Sequence, residues 1–448
     1  MDIKNQKFLV LGVSKSGYAV GKRILEKGGK CYLYEQLNTP AIEEKINDLI
    51  ALGGVVVNDE KVDAVIEEID VLVISPGVPI NNEIAIKAKR KSKRILGEFE
   101  FGLLGFSPLF VAVTGTNGKT TTCTMIDEIL KQDSVKSTLC GNIGIPITSK
   151  VDEITREDVC VAEISSFQLE TISFFAPHVS CILNIAPDHL ERHYTMDNYI
   201  FLKKRIFAHQ RESEYCVLNF DDTVTKEFYK ECRSKVVWVS SNEQVDGAYL
   251  YNDELYYKKE KIMAKSQLAL GGNHNLYNAL FAIAVCKIIG VKTQSIVEVL
   301  KNIKGVKHRI ELICSKNGVN YYNDSKATNV ASTLSALDSM NRPTILILGG
   351  SEKGESYENL FEKIKEKCVK HVILTGASKF NMLDCAGRCD YSNLTVTPDL
   401  EYAVKIASSI AEDGDNVLLS PACASFDCFK NYEERGDKFS QLVRGEDN

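Results

Sequence analysis

The chain has 448 residues, 44% of them hydrophobic and 25% charged, with a formal net charge of −6. That length is too great for one core, so two to four domains are expected. The mild acidity gives no reason to expect nucleic acid or a membrane surface as a partner.

The N-terminus runs from Met1-Asp2-Ile3-Lys4 straight into a strand without a signal-peptide pattern. The best apolar run, Ala279 to Ile289, contains Lys287 and is too short to span a bilayer. The 14 cysteines are scattered, mostly in apolar runs such as those around Cys31, Cys181 and Cys286, with no Cys-x-x-Cys pair. Reduced buried thiols and a cytoplasmic location are therefore expected, and no zinc site.

Residues 7–105 alternate strand and helix patterns. Phe8 to Gly12 reads as a strand, Gly17 to Lys27 as an amphipathic helix and Lys30 to Tyr34 as a second strand, with further strands at Val55–Val57 and Val71–Ile74. Gly12 and Gly17 flank the first strand-to-helix turn, and Glu35 ends the second strand where a dinucleotide fold places its ribose acid. The stretch Gly12-Val-Ser-Lys-Ser-Gly17 lacks the Gly-x-Gly-x-x-Gly signature, which argues against a nicotinamide oxidoreductase. Ser75-Pro76-Gly77 ends the Val71 strand in a turn that can face the same crevice.

The central unit begins at a buried parallel strand, Leu109 to Val113, that breaks into Gly115-Thr116-Asn117-Gly118 and resumes as a helix at Lys119-Thr120-Thr121. A strand, a glycine turn and a helix N-terminus form a phosphate cradle, because backbone N–H groups and the helix dipole converge on anionic oxygens. Lys119 is placed to reach the terminal phosphates, and the Thr120 hydroxyl to sit on Mg²⁺. Val113 stands where the first glycine of the full motif belongs. Glu163 ends the next buried strand, Val159–Glu163, as an acid holding Mg²⁺ does, and Ser165-Ser166 follow at once. Asp188-His189 follow the strand Val179–Asn184 at the sheet edge where ligands collect. A helix then carries Tyr199, Lys203, Ile206 and Phe207. Tyr249 to Lys261 reads as an exposed hairpin turning at Asn252-Asp253. A strong helix, Asn275 to Ile289, closes the unit, and Asn275 and Asn278 can together present the amides that adenine recognition needs.

A third unit starts near Gly305. Strands at Val319–Tyr322, Thr344–Leu348, His371–Leu374 and Val417–Leu419 alternate with helices at Val330–Asp338, Tyr357–Lys367 and Leu400–Ala411, which predicts a third doubly wound sheet. His308-Arg309 and Asn323-Asp324-Ser325-Lys326 flank its first strand. Arg309, Asp324 and Lys326 there suit a polyphosphate or carboxylate ligand. Gly349-Gly350 followed by Lys353, and Ser420 to Ser425, end two later strands; the second places Ser425 and backbone N–H groups where a carboxylate can bind.

Together these stretches resemble the Mur ligase family over nearly the whole chain. Gly115 to Thr120 matches a loop that the family shares with folylpolyglutamate synthases. Glu163-Ile-Ser-Ser-Phe-Gln-Leu-Glu170, Asn323 to Asn329 and Leu419 to Asp427 are similar to the D-glutamate-adding branch. The resemblance implies an α/β protein of three domains. These are a Rossmann-like UDP-substrate domain (1–97), a P-loop ATPase-type domain (98–304) and a Rossmann-like amino-acid domain (305–448). The implied activity is ATP-dependent addition of D-glutamate to UDP-N-acetylmuramoyl-L-alanine in peptidoglycan synthesis, by a monomer acting on small molecules.

By motif position, the resemblance assigns Gly115 to Thr121 to ATP, with Lys119, Thr120, Glu163 and His189 serving phosphate and metal. Asn142 and Ser165 fall near the reacting groups, Asn275 and Asn278 on the adenine side, and Arg309, Asp324 and Lys326 on the nucleotide. Thr328, Lys353, Ser425, Phe426 and Tyr432 surround D-glutamate, while Lys15, Ser16, Glu35, Ser75 and Gly77 face the UDP moiety. Lys203 matches the family's carbamylated lysine, with Lys204 the alternative one position on; a carbamate would help bind a second Mg²⁺ together with His189. Gln36-Leu37 depart from the basic or hydroxylic residue expected near UDP. The implied mechanism is phosphorylation of the alanine carboxylate followed by attack of the D-glutamate amine, with His189 as the base. A sibling ligase or a folylpolyglutamate synthase shares the ATP loop, and a non-catalytic nucleotide-binding module would lack the acid, His and Lys set around it.

Overall fold

Five short apolar runs build the first sheet: β1 (Lys7–Leu11), β2 (Lys30–Tyr34), β3 (Val55–Val56), β4 (Val71–Ile74) and β5 (Arg94–Gly97). The computed structural model describes residues 2–37, 39–105, 108–143, 145–305, 307–352 and 356–445. The sheet is parallel throughout, ordered β3-β2-β1-β4-β5, with helices connecting the strands. β1 and β4 are buried almost along their whole length, as strands covered on both faces must be.

The second sheet takes β6 (Leu109–Thr114), β7 (Ser137–Gly141), β8 (Val159–Glu163), β9 (Val179–Ile182), β10 (Tyr215–Asn219), β11 (Lys235–Ser240), β12 (Gly247–Tyr251), β13 (Glu254–Tyr257) and β14 (Glu260–Ala264). Its order is β14-β13-β12-β11-β10-β9-β6-β8-β7, so β6 lies between β9 and β8 and the chain crosses over on either side of it. Such a switch point leaves a crevice at the carboxyl ends of the strands. The hairpin expected to be exposed instead extends the sheet: β12 pairs antiparallel with β13 and parallel with β11, and Ala248 and Leu255 are fully buried. Apolar residues on one face of the hairpin outweigh its many tyrosines. It turns at Asn252 and Asp253, both left-handed (φ 49° and 57°), as a two-residue hairpin favours.

The third sheet holds β15 (Glu311–Lys316), β16 (Val319–Asn323), β17 (Thr344–Gly349), β18 (Val369–Thr375), β19 (Leu394–Val396) and β20 (Asn416–Leu419), ordered β15-β16-β20-β17-β18-β19. Five strands are parallel, as a doubly wound sheet requires, and β15 adds an antiparallel edge through a hairpin with β16.

The chain forms two compact units. Residues Met1–Ile185, Asp197–Gln267 and Tyr277–Leu300 make one, containing the first two sheets; Ala186–Met196, Leu268–Leu276 and Lys301–Asn448 make the other. Within the first unit the two sheets are joined by the short helix Glu98–Gly102, which follows β5 directly. Its buried Glu100 carboxylate accepts the backbone N–H groups of Ser173 (2.7 Å), Phe174 (2.6 Å) and Phe175 (2.9 Å) and the Ser173 hydroxyl (2.6 Å). A buried carboxylate needs such a set of donors to offset its lost hydration. Glu98, also buried, accepts from the Thr148 hydroxyl at 2.7 Å, and burial raises its pKa. Phe99 meets Phe110 and Phe175 edge-on, with centroids 6.1 and 4.9 Å apart.

Candidate active site

In the first unit, β6 ends at Thr114, and Gly118 caps the helix Lys119–Gln132 in a left-handed conformation (φ 84°). A Cβ on Gly118 would stand 2.4 Å from Asn278 Oδ1, so the loop is closed against Asn278 of the helix Asn273–Ile289, and any side chain there would displace that amide. The loop is pinned from the neighbouring strand end. Asn117 N–H donates to Asn184 Oδ1 at 2.8 Å, and Asn184 Nδ2 returns a bond to Asn117 O at 3.1 Å. Lys119 Nζ folds over the loop and donates to the carbonyls of Gly115 (2.9 Å) and Thr116 (2.7 Å).

Thr120 Oγ1 donates to Glu163 Oε2 at 2.8 Å, and both residues are buried. Asn142 Nδ2 donates to the other carboxylate oxygen, also at 2.8 Å. Gly141 makes that approach possible: it has φ 92°, and a Cβ there would lie 2.3 Å from the Glu163 carbonyl. Thr120, Glu163 and Asn142, from three separate stretches, thus converge at the carboxyl end of β6, β7 and β8. Ser165 instead caps the short helix Ser166–Leu169 in a capping box with Gln168. The Thr121 hydroxyl is buried with no hydrogen-bond partner beside them.

Lys203 is 2% exposed, and its Nζ donates to Thr114 Oγ1 (3.1 Å) and the Gly115 carbonyl (2.9 Å). The Tyr199 ring lies 5.1 Å from that nitrogen, and the Tyr199 hydroxyl bonds with Thr116 Oγ1 at 3.1 Å. Lys204, the alternative, pairs with Glu231 at 2.7 Å on the surface of the unit. The structure therefore brings Lys203 to the loop and leaves Lys204 outside. Asn278 Oδ1 accepts from the Thr122 hydroxyl at 3.1 Å.

In the first sheet, Glu35 is used by the backbone. Its Oε2 accepts from Val13 N–H at 2.6 Å, and Oε1 from Gln36 and Leu37 N–H at 2.9 Å each. Ser75 Oγ donates to the Gly12 carbonyl at 2.7 Å and ties the β4 turn to the first one. Lys15 and Ser16 open the helix Lys15–Glu26, and Gly77 lies on an open turn where a Cβ would meet nothing within 4 Å.

In the second unit, His189 has a left-handed backbone (φ 55°), and its ring lies 3.6 Å from Asp188 Oδ2 and 3.3 Å from Glu191 Oε1. Asp188 Oδ2 also accepts from Asn329 Nδ2 at 3.2 Å. Asn275 turns its amide back to the Gly271 carbonyl at 2.9 Å. Asp324 is fully enclosed: Ser420 Oγ donates to it at 2.7 Å and Ile310 N–H at 3.2 Å. Burial pushes its carboxyl up to about 7, against the opposing pull of Arg309, whose buried Nε has no hydrogen-bond partner.

Of the residues expected around an amino acid, Tyr432 has its ring 5.2 Å from Nζ of Lys326, itself expected on the nucleotide, and Thr328 N–H donates to the Lys326 carbonyl at 3.0 Å. Ser425 is buried while Phe426 is 74% exposed. Lys353 lies outside the described residues. The loops bearing these residues are joined by Arg435, itself 3% exposed. Its guanidinium donates to Ser325 Oγ (3.0 Å) and to the carbonyls of Ser325 (2.8 Å), Cys423 (3.1 Å) and Ala424 (3.1 Å). Burial lowers its pKa to about 10.

Residues 113–286 match the model of the Mur ligase middle domain, and residues 308–423 that of the Mur ligase glutamate ligase domain. The UDP-N-acetylmuramoylalanine–D-glutamate ligase of Caldicellulosiruptor saccharolyticus is 41% identical over 452 residues, covering 99% of this chain and 99% of the relative. The enzyme of the same name from a Thermoanaerobacter species is 40% identical over 450 residues, again with 99% of each chain covered. The chain belongs to the Mur ligase family. A MurF ligase from Thermotoga maritima, solved in complex with ADP, shares the fold with a TM-score of 0.60 at 16% identity, over 99% of this chain and 96% of its own.

In this Mur ligase, two features of the geometry had no local signal in the sequence. Asn184 is a strand-end asparagine like many others, and Arg435 is a lone arginine in a charged helix; only the pairing of distant strands gives each its partners. The Thr120–Glu163 contact did have a signal, a glycine loop and an acid closing successive buried strands.

Proposed function

We infer that the chain is an ATP-dependent ligase that joins D-glutamate to UDP-N-acetylmuramoyl-L-alanine, acting in the cytoplasm as a monomer on small molecules. The convergence of Thr120, Glu163 and Asn142 at the phosphate loop carries this reading, and the full-length relatives named for that reaction supply its substrates.

The donor set fits Mg²⁺. A buried hydroxyl and a buried carboxylate are hard oxygen ligands, and one carboxylate plus substrate phosphates is how this ion is usually held. Among the described residues no cluster of three or more His, Cys, Asp or Glu suited to a metal occurs. When bound, the ion supplies positive charge against the phosphoryl oxygens.

The residues then divide the work. Loop N–H groups and Lys119 hold the nucleotide phosphates, and Asn142 orients Glu163. The alanine carboxylate attacks the γ-phosphorus, its bond to the bridging oxygen breaks, and ADP departs with that electron pair. The D-glutamate amine adds to the acyl phosphate carbonyl and inorganic phosphate leaves, with His189 assigned the amine proton. Lys203 is read as a carbamate. A carbamate nitrogen keeps a single N–H, so Nζ cannot keep its bonds to both Thr114 Oγ1 and the Gly115 carbonyl, and the new carboxylate supplies an oxygen ligand that an ammonium cannot.

The test is phosphate release from ATP with UDP-N-acetylmuramoyl-L-alanine present, comparing D-glutamate, L-glutamate, L-alanine, L-lysine and a folate with glutamate. Release dependent on D-glutamate alone is expected. Equal stimulation by both glutamate enantiomers, or by the folate pair, overturns the reading.

A further inference from the structure

We propose that Tyr277, with Asp221, is a positioning pair that sets this protein's affinity for nucleotide by fixing the neighbouring Asn278 against the phosphate loop. The proposal rests on the nucleotide reading above and extends it to residues that are not among the expected ligands.

The Tyr277 hydroxyl lies 2.6 Å from Asp221 Oδ2 and 2.7 Å from Ser241 Oγ. Asp221 is held in turn: Oδ2 accepts from Ser241 N–H at 2.7 Å, and Oδ1 from the Ser240 hydroxyl at 2.7 Å. The phenol is therefore clamped onto the carboxyl ends of β10 and β11 by a charge-assisted bond, the stronger kind. The next residue along the helix is Asn278, whose amide oxygen accepts from Thr122 and fills the space beside Gly118. A shift of the helix would move that oxygen into the loop or away from it.

A second route runs along the sheet edge. Asp221 N–H donates to Asn219 Oδ1 at 3.0 Å, and Asn219 Nδ2 donates to the Leu183 carbonyl at 3.0 Å. Leu183 precedes Asn184, which holds both backbone groups of Asn117. From Asp221 the loop is thus braced on two sides, through Asn278 and through Asn184. Every member of this network is satisfied within the protein, so it acts by placing the loop N–H groups rather than by touching phosphate. A loop 1 Å out of place binds phosphate poorly, because hydrogen bonds to an anion fall off steeply with geometry.

The experiment is calorimetric binding of ADP with Mg²⁺, together with steady-state kinetics, for the wild type, Tyr277→Phe, Asp221→Asn and the double variant. Tyr277→Phe keeps the ring and loses only the hydroxyl. The expected result is ADP binding weakened about tenfold, the scale of one lost hydrogen bond to a charged group. The KM for ATP should rise in step, the KM for the UDP-sugar substrate should stay within twofold, and the double variant should be no worse than the weaker single. Unchanged ADP affinity in Tyr277→Phe overturns the proposal, and so does a loss that falls equally on every substrate together with a lowered Tm. Should Tyr277→Phe not fold, Asp221→Asn and Ser241→Ala carry the same comparison. Failure of the wild type to bind ADP would instead sink the nucleotide reading itself.

Discussion

Thr120 donates its hydroxyl to Glu163 across 2.8 Å, joining the first turn of the loop helix to the end of a strand 43 residues later. The second carboxylate oxygen is held by Asn142. Glu163→Gln keeps the size but sets an amide N–H₂ against either the Thr120 hydroxyl or the Asn142 amide. We expect turnover to drop by about 10²-fold or more, the scale seen when one preorganised electrostatic group is removed. The Mg²⁺ concentration for half-maximal rate should rise. A magnesium titration of phosphate release decides it; an unshifted midpoint means Glu163 is not a ligand.

Gly118→Ala combines a left-handed backbone with a blocked Cβ, whereas Gly53 has φ 99° and open space around it. The backbone term alone costs about 1–2 kcal/mol. Gly53→Ala should lose about that much stability and leave ATP kinetics alone. Gly118→Ala should lose more and raise the KM for ATP, because Asn278 has to give way. Thermal unfolding and ATP kinetics of the two variants, side by side, separate strain from clash.

Burial pushes the Asp324 carboxyl up to about 7 in the folded protein, against ~3.9 for the same group in an unfolded chain. The folded state therefore binds more protons between those values, so the stability this group contributes is fully present below about pH 4 and is lost as pH rises to about 7. Asp324→Asn removes the titration. The difference in unfolding free energy between wild type and variant should change with pH from about 4 to 7 and level off above. A difference that is flat across that window would show that Asp324 stays ionised.

Lys203 Nζ lies on the Gly115 carbonyl at the loop, whereas Lys204 pairs with Glu231 away from it. Stripping CO₂ and bicarbonate should lower activity, and ¹³C-bicarbonate should give a carbamate signal that Lys203→Ala abolishes. A short carboxylic acid should partly restore the Lys203→Ala protein. Full activity in Lys203→Ala without any additive ends the carbamate assignment.

Arg435→Met fills similar space and removes the four bonds to Ser325, Cys423 and Ala424. Three buried carbonyls lose a donor, so a loss of about 3 kcal/mol or more is expected. The KM for D-glutamate should rise as the two loops separate. Urea unfolding and D-glutamate kinetics test both parts, and a variant as stable as wild type would show that the carbonyls find other donors.

The sequence was most readable where a strand is buried on both faces. Val71–Ile74 and Val159–Glu163 are continuous apolar runs, and the strands begin and end at those residues. Edge elements were less so: β7, β15 and β19 are partly polar, and their pairing, not their composition, makes them strands. The same division holds at the site. A glycine loop and a strand-end acid announce themselves locally. The placing of Tyr277 on Asp221, or of Arg435 on three carbonyls, depends on contacts between residues 11 to 110 positions apart.

The helix Glu98–Gly102 bears on how this protein can be cut. A fragment starting at Pro108, just before β6, would carry the whole phosphate loop yet lack Phe99 and Glu100. Three adjacent N–H groups at Ser173 to Phe175 would lose their shared acceptor, and Phe110 and Phe175 would face water. Such a piece should aggregate. A cut upstream of β5 fares no better, because β5 pairs with β4 and buries Leu96 among residues of β1, so the first two sheets are best kept together when the chain is dissected.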